Sequence, residues 1–443
     1  MPSNHKSYTK IALTITIFLT ILLLAISCKE CPSEPKPEPE YNIYLSVEDI
    51  LCTWVTLKVT LPDSGKINSF SLDRNDSTIA TYTCNDNDTL ITDEGITPDT
   101  DFSYKVRFLK DGKIKSESEP VTVHTMPTTS HNFIWEVDTL GNYGSYLNDV
   151  WILDDNNIWA VGNIETDSGR YNISNWDGNQ WSINRIGPEG NDLYSIFAFS
   201  ENDIWITNSC SPYHWDGTTW TYYRFSSGGV GVNSCTGNAM WGSSSSNIYF
   251  VGNMGSIVHY NGSTFTKMES GTDIDLVDIW GIDQNNIWAC GYTQSVATSI
   301  LHYDGQNWNQ FHSLPYSEYI NLNSERISGP IVSIWTDSQD YLWAITYWGL
   351  YWINTKDSKI FKRYPDQNAW NGYIFNLDCN ASNDMIFSGD NSAVWHFNGK
   401  ELYYFSELPN NYALFGMAFK KDCVYFVGQD YSCDRALIVK GIR

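Results

Sequence analysis

The chain has 443 residues, enough for more than one buried core at roughly 150 residues per domain. Aromatic residues make up 15% and charged residues only 18%, with 19 Trp, 28 Tyr and 31 Gly. That composition belongs to turn-rich, half-buried strands and excludes a helical bundle or a disordered tail. With 27 basic against 51 acidic residues the net charge is −24; such a surface repels phosphate backbones, no basic cluster offers counterion release, and nucleic acid is not expected as a partner.

Residues 1–27 open with His5, Lys6 and Lys10 and continue as an uncharged apolar run over 11–27. Seventeen residues in a helix at ~1.5 Å each reach about 26 Å, short of a ~30 Å hydrocarbon core, so the segment reads as an export signal. Ala25-Ile26-Ser27-Cys28 resembles a bacterial lipobox, with Ala25 where Leu is usual and Leu24 one place earlier. The resemblance implies cleavage before Cys28, lipidation of that residue and attachment to a bacterial membrane, at the outer membrane or cell surface. Ordinary signal cleavage near Ser27 and an uncleaved anchor are the alternatives. Residues 28–40 are rich in Pro and Glu, favour extended polyproline II and form a stiff tether.

Nine cysteines besides Cys28 fit an oxidising compartment. The expected pairs are Cys52 with Cys84, Cys210 with Cys235 and Cys423 with Cys433, although spacing leaves connectivity open. No metal site or cofactor is expected, since the one C-x-x-C spacing, Cys28 to Cys31, falls in the lipobox.

Residues 41–126 alternate apolar and polar in Thr53-Trp54-Val55-Thr56-Leu57-Lys58-Val59-Thr60-Leu61 and in Phe102-Ser103-Tyr104-Lys105-Val106-Arg107-Phe108-Leu109. Period two over such lengths predicts strands with one face inward, and Lys110-Asp111-Gly112-Lys113 predicts a hairpin. Gly95-Ile96-Thr97-Pro98-Asp99-Thr100-Asp101-Phe102-Ser103-Tyr104-Lys105-Val106 resembles the late strands of a fibronectin type III domain. That resemblance implies a β-sandwich, with Trp54 as its inner-face tryptophan and a spacer or binding role.

From 131 to 443 the sequence repeats. Asn157-Ile158-Trp159 recurs as Asp203-Ile204-Trp205, Asn247-Ile248-Tyr249, Asn286-Ile287-Trp288, Tyr341-Leu342-Trp343, Asp384-Met385-Ile386 and Cys423-Val424-Tyr425, at a mean interval of about 44 residues. That is the period of a four-stranded propeller blade. An aromatic or Met stands eight residues before the marker in six units, from Trp151 to Met417, while the sixth breaks the spacing and predicts a bulge near Asp378-Cys379. Trp176-Asp177-Gly178-Asn179-Gln180-Trp181 and its counterparts at 215–220, 260–265, 303–308 and, more weakly, 397–399 supply hairpin turns. The seventh unit stops after a third strand at 436–439, and 132–140 is expected to supply its fourth, closing a seven-bladed ring without an exposed edge. The fold class is therefore all-β: a fibronectin-like sandwich followed by a seven-bladed β-propeller. The Asn-Ile-Trp-Ala-Val-Gly and Trp-Asp-Gly-x-x-Trp texture resembles bacterial secreted β-propeller repeats, and the stretch 331–351 resembles propellers of two-component sensor ectodomains; neither resemblance implies a defined chemistry.

No catalytic residue is assigned. The sialidase Asp-box and the hydrolase Gly-x-Ser-x-Gly elbow are missing. His214, His259 and His302 occupy one repeat position, which predicts a structural role, and Asp149 and Asp278 are expected on innermost strands, bonded to neighbouring backbone. Trp348 and Trp370 fall off the repeat positions, in loops joining second to third or fourth to first strands. The same loop face is expected to gather Tyr292, Tyr347, Tyr373, Arg170, Arg224 and Arg326 as ligand-binding residues. The expected function is a surface-tethered, non-catalytic, monomeric recognition protein binding a glycan or a protein. The alternatives are an extracellular hydrolase or lyase acting on polysaccharide, and a structural scaffold of a surface complex.

Overall fold

The computed structural model describes residues 41–443 except 62–68, 84–86, 111–112, 188–190, 209–210, 226–236, 294–296, 315–326, 328, 348, 357, 359 and 365–372. Cys28 and the signal and tether segments therefore lie outside the described residues, as do Cys84, Cys210, Cys235, Arg326, Trp348 and Trp370. The described chain is all-β apart from short 3₁₀ turns. No helix among the described residues is long and apolar enough to cross a membrane.

Two compact units are present. The first holds Thr56–Thr92, Phe102–Val123 and the described part of Met1–Glu48; the second holds Asp49–Val55, Asp93–Asp101 and His124–Arg443. Between Tyr44 and His124 the strands form a three-stranded sheet, in the order Tyr44–Ile50, Trp54–Thr60, Asp88–Glu94, and a five-stranded sheet centred on Ser69–Arg74 and Asp101–Lys110. The alternation read in the sequence sets the core of the first unit: Phe102, Tyr104, Val106 and Phe108 are buried on one face while their neighbours are not. Lys110 pairs with Lys113, the register of the expected hairpin.

In the second unit seven four-stranded sheets follow one another: blade 1 spans 146–184, blade 2 195–222, blade 3 239–268, blade 4 276–314, blade 5 331–364 and blade 6 374–404. Blade 7 combines three strands at 412–442 with Ile134–Leu140, whose register pairs Ile134 with Ile442 and Leu140 with Ala436. The ring is thus closed by the N-terminal strand that the truncated seventh repeat predicts. Asp-Gly and Asn-Gly turns hold Gly178, Gly217, Gly262, Gly305 and Gly399 at positive φ, and Asp177 Oδ1 accepts the N–H groups of Asn179 and Gln180 at 2.9 Å.

Three expectations need correction. The eight-residue spacing holds in the sixth unit, where Asp378 faces Ile386; it breaks in the seventh, where Ala418 rather than Met417 faces Tyr425. Trp54 is buried within the second unit, 5.5 Å from Trp352 and in one cluster with Trp335 and Trp343, and not in a sandwich core. Two of the expected cysteine pairs also fail, while Cys210 with Cys235 lies outside the described residues. Cys52 is free, with its thiol 3.1 Å from the Pro127 carbonyl, and Cys423 and Cys433 are both free. Cys423 begins the strand Cys423–Asp430 and pairs with Ile442, while Cys433 lies in the turn beyond its other end; eight residues of strand at ~3.3 Å each keep the two thiols far outside disulfide reach.

Candidate functional site

The innermost strands of all seven blades surround a channel of about 430 Å³. An innermost strand is a sheet edge, so every second backbone N–H and C=O points away from its partner and needs another bonding group. Side chains of the preceding blade provide them. Asp149 accepts the N–H of Val150 and, across the blade junction, that of Ile196, both at 2.8 Å. Asp278 accepts Ile279 N–H at 2.8 Å, then Ile334 N–H at 2.9 Å and the Ser333 hydroxyl at 2.6 Å from blade 5. Asp378 accepts Cys379 N–H at 2.8 Å and Phe419 N–H of blade 7 at 2.7 Å. Asparagine amides supply the complementary donors: Asn148 to Leu193 O at 2.7 Å, Asn238 to Leu276 O and Asn376 to Phe415 O at 2.8 Å.

Burial pushes the Asp149 and Asp378 carboxyls up to about 7, against the lowering effect of their backbone N–H bonds, and raises Asp278 as well. Among the described residues no Lys, Arg or His lines the channel. Toward the first-to-second-strand turns, Trp151, Phe197, Trp241 and Trp280 line it, with the Trp151 and Phe197 rings 4.6 Å apart.

At the opposite end, where innermost strands begin and second strands finish, the structure brings together three of the expected ligand residues. Tyr292 ends the strand Asn286–Tyr292, Tyr347 follows Tyr341–Thr346, and Tyr373 precedes Ile374–Ala381. The Tyr292 and Tyr347 hydroxyls are 2.9 Å apart, and the Tyr347 and Tyr373 rings lie 5.4 Å apart at 60°. Tyr292 and Tyr347 line the channel, and Tyr373 is 57% exposed beside it. These residues form an aromatic arc over blades 4 to 6 at the channel mouth.

Of the expected arginines, Arg170 and Arg224 do not join this arc. Arg170 is tied to Asp192 and Asn163 and lies 3.4 Å from Glu165, while Tyr146 donates to Asp192 at 2.9 Å. Arg224 is exposed, its guanidinium 5.8 Å from the Tyr222 ring centre. Neither lines the channel. Among the described residues no group of three or more His, Cys, Asp or Glu side chains is placed to hold a metal ion.

The recurring histidines are structural. His214, His259 and His302 bond Asp203, Asn247 and Asn286 at 2.8, 2.7 and 2.9 Å, and each stacks on the marker aromatic of its own blade at 4.1–4.5 Å. His396 repeats the bond to Asp384 at 2.8 Å. It occupies the same place before the weak hairpin 397–399, the signal that would have found it.

A sandwich-bearing chain with a seven-bladed ring, an open channel and an aromatic mouth defines a β-propeller protein. Its architecture is similar to that of YCF48 bound to a D1 peptide, at TM-score 0.53 and 16% identity over 72% of this chain and 97% of that one. YCF48 from Cyanidioschyzon merolae (TM-score 0.51, 12% identity, 69% and 98% covered) and a chain of a mitotic checkpoint complex (0.50, 10%, 71% and 94%) share it. At these identities the likeness establishes the fold alone. No family model and no curated protein matches the sequence.

Proposed function

We propose that the protein is an exported, lipid-anchored recognition protein that acts without catalysis, the face around the channel mouth binding a protein or glycan partner. The observation that carries this reading is the arc of Tyr292, Tyr347 and Tyr373, rings held in fixed mutual geometry at the rim of a concave site. A catalytic reading needs an acid and a base free to exchange protons with substrate. Asp149, Asp278 and Asp378 each hold backbone N–H groups of two positions, one of them on the next blade, which suits stapling better. Export and anchoring rest on the lipobox resemblance at Cys28 and the charged tether behind it. The two-sheet strand order over 44–124 supports the fibronectin type III reading of the spacer. The solved structure of YCF48 with a bound peptide gives a precedent for peptide recognition on this fold.

The test is binding of the full chain to a glycan array and to a panel of unfolded polypeptides, repeated with Tyr347→Ala and Tyr373→Ala. Ligands retained at full strength by both variants would remove the arc as the site, and sugar products released from a polysaccharide panel would replace recognition with catalysis.

A further inference from the structure

We infer that the channel mouth docks a lysine or arginine side chain carried on an extended segment of a partner polypeptide, seated against the rings of Tyr292, Tyr347 and Tyr373. This deepens the recognition reading and rests on it. Aromatic faces attract a cation through their quadrupole, most strongly where water is partly excluded, and the long stem of Lys or Arg packs on rings while its head goes on to polar ground. The arc offers rings at 5.4 and 5.9 Å from the central Tyr347, with the outermost, Tyr373, more than half exposed.

What lies behind the arc selects a cation. The channel carries three carboxyl groups, at Asp149, Asp278 and Asp378, whose ionisation burial disfavours and a docked cation would favour, and among the described residues no cationic side chain lines it. Each carboxylate accepts two or three protein hydrogen bonds, of about four lone-pair positions, so acceptor capacity remains toward the channel. The surrounding loops add Asp273, Asp275, Asp390 and Asp434, on a chain whose net charge is −24. Arg170, on the same face, is already engaged by Asp192. A sugar would instead need free donors for its hydroxyls. The amides at this level, Asn148, Asn238 and Asn376, direct theirs to carbonyls of neighbouring blades. A volume of about 430 Å³ admits one or two side chains, so the backbone of the partner stays outside on the loop face.

The experiment measures fluorescence anisotropy of labelled Gly/Ser peptides carrying a central pair of Arg, Lys, citrulline or norleucine residues, titrated with the full chain at 50 and 500 mM salt. Arg or Lys peptides should bind at least tenfold more tightly than citrulline and norleucine peptides, and the difference should shrink at high salt. Tyr347→Ala should lose at least tenfold and Tyr347→Phe less than threefold, each checked for an unchanged thermal midpoint. Citrulline binding as well as Arg, no binding by any Arg or Lys peptide, or full affinity in Tyr347→Ala overturns the inference. Neutral peptides or glycans whose binding is lost in Tyr347→Ala would leave the recognition reading standing and remove the cation. Ligands of every class indifferent to Tyr347→Ala and Tyr373→Ala would remove both.

Discussion

Asp149, Asp278 and Asp378 place three carboxylates where the inner edges of blades need acceptors, and their common role has a measurable consequence. Asp149 and Asp278 stand two residues before the aromatic that faces the repeat marker, so their position was readable from spacing alone. Asp378 was not, because blade 6 has Ile386 as its marker and carries the carboxylate at the marker's own register, about 7 Å farther from the mouth at ~3.3 Å per residue. Burial raises Asp149 and Asp378 to about 7, well above the ordinary 3.8, so between those values the folded state holds more protons than the unfolded chain. Their contribution to stability is therefore fully present below about pH 4 and is lost as pH rises through 7. Asp49, raised to about 7 by burial and by Asp337, acts in the same sense. His131, lowered to about 4 chiefly by burial and then by His396, acts in the opposite sense but is neutral in both states above its ordinary 6.5. Between pH 6.5 and 8 the carboxylates thus dominate these opposing effects. The thermal midpoint should fall across that window, and the fall should be shallower in an Asp149→Asn, Asp378→Asn double variant. Parallel midpoint curves for the two proteins would show that neither carboxyl titrates in that range.

Within an element, the repeated Asn-Ile-Trp-Ala-Val-Gly texture has a steric origin. Three residues after the marker the second strand crosses the start of the innermost strand so closely that a Cβ at Gly291 would meet the Asp275 carbonyl oxygen at 2.0 Å. At Gly389 it would meet that of Tyr373, and at Gly428 that of Ala413, at 1.8 Å. These contacts are with backbone and no side-chain rotation relieves them. Gly291→Ala should cost about 1–3 kcal/mol, the range for inserting a methyl group into a packed interior, with the midpoint read by calorimetry. Gly271→Ala, at a glycine with no atom within 4 Å of the added Cβ but at φ +73, tests backbone strain alone. A loss at Gly291 no larger than at Gly271 would argue against the contact as the cause. Strand order and turn glycines were legible because the strand pattern recurs in seven units and the turn glycine in five, and ring closure because the seventh unit has only three strands of its own. The free state of Cys52, Cys423 and Cys433 was not, because a disulfide depends on distance: Cys423 and Cys433 are ten residues apart in sequence yet separated by the length of a strand.

For the whole ring, stability depends on the junction where the two ends of the propeller meet. Ile134–Leu140 supplies the outer strand of blade 7, and the stretch before it packs with blade 6: His131 Nδ1 lies 2.7 Å from His396 Nδ1, and Thr129 donates to Asp384 at 3.0 Å. Arg443 completes the closure. Its guanidinium grips both oxygens of Asp384, reaches Asp422 at 3.1 Å and stands 5.4 Å from the ring centres of both Phe133 and Phe419. Burial opposes ionisation of Asp384, but bonds from His396, Arg443 and Asn380 hold its carboxyl below the usual range. The side chain of Asp384 is only 5% exposed, so removing the guanidinium leaves a buried carboxylate with His396 as its nearest partner able to carry positive charge. Breaking a buried pair from one side costs about 3–5 kcal/mol, with Arg443 10% exposed at the side chain and so little screened. Arg443→Ala should lower the thermal midpoint by several degrees, whereas Arg443→Lys, which keeps the charge without the two-pronged geometry, should recover only part of the loss. Because the same residue links the last strand of blade 7 to blade 6 and to Phe133, the loss should also appear as faster amide exchange along Ile134–Leu140, read by hydrogen–deuterium exchange. Exchange there unchanged in Arg443→Ala would mean that strand pairing alone keeps the ring shut.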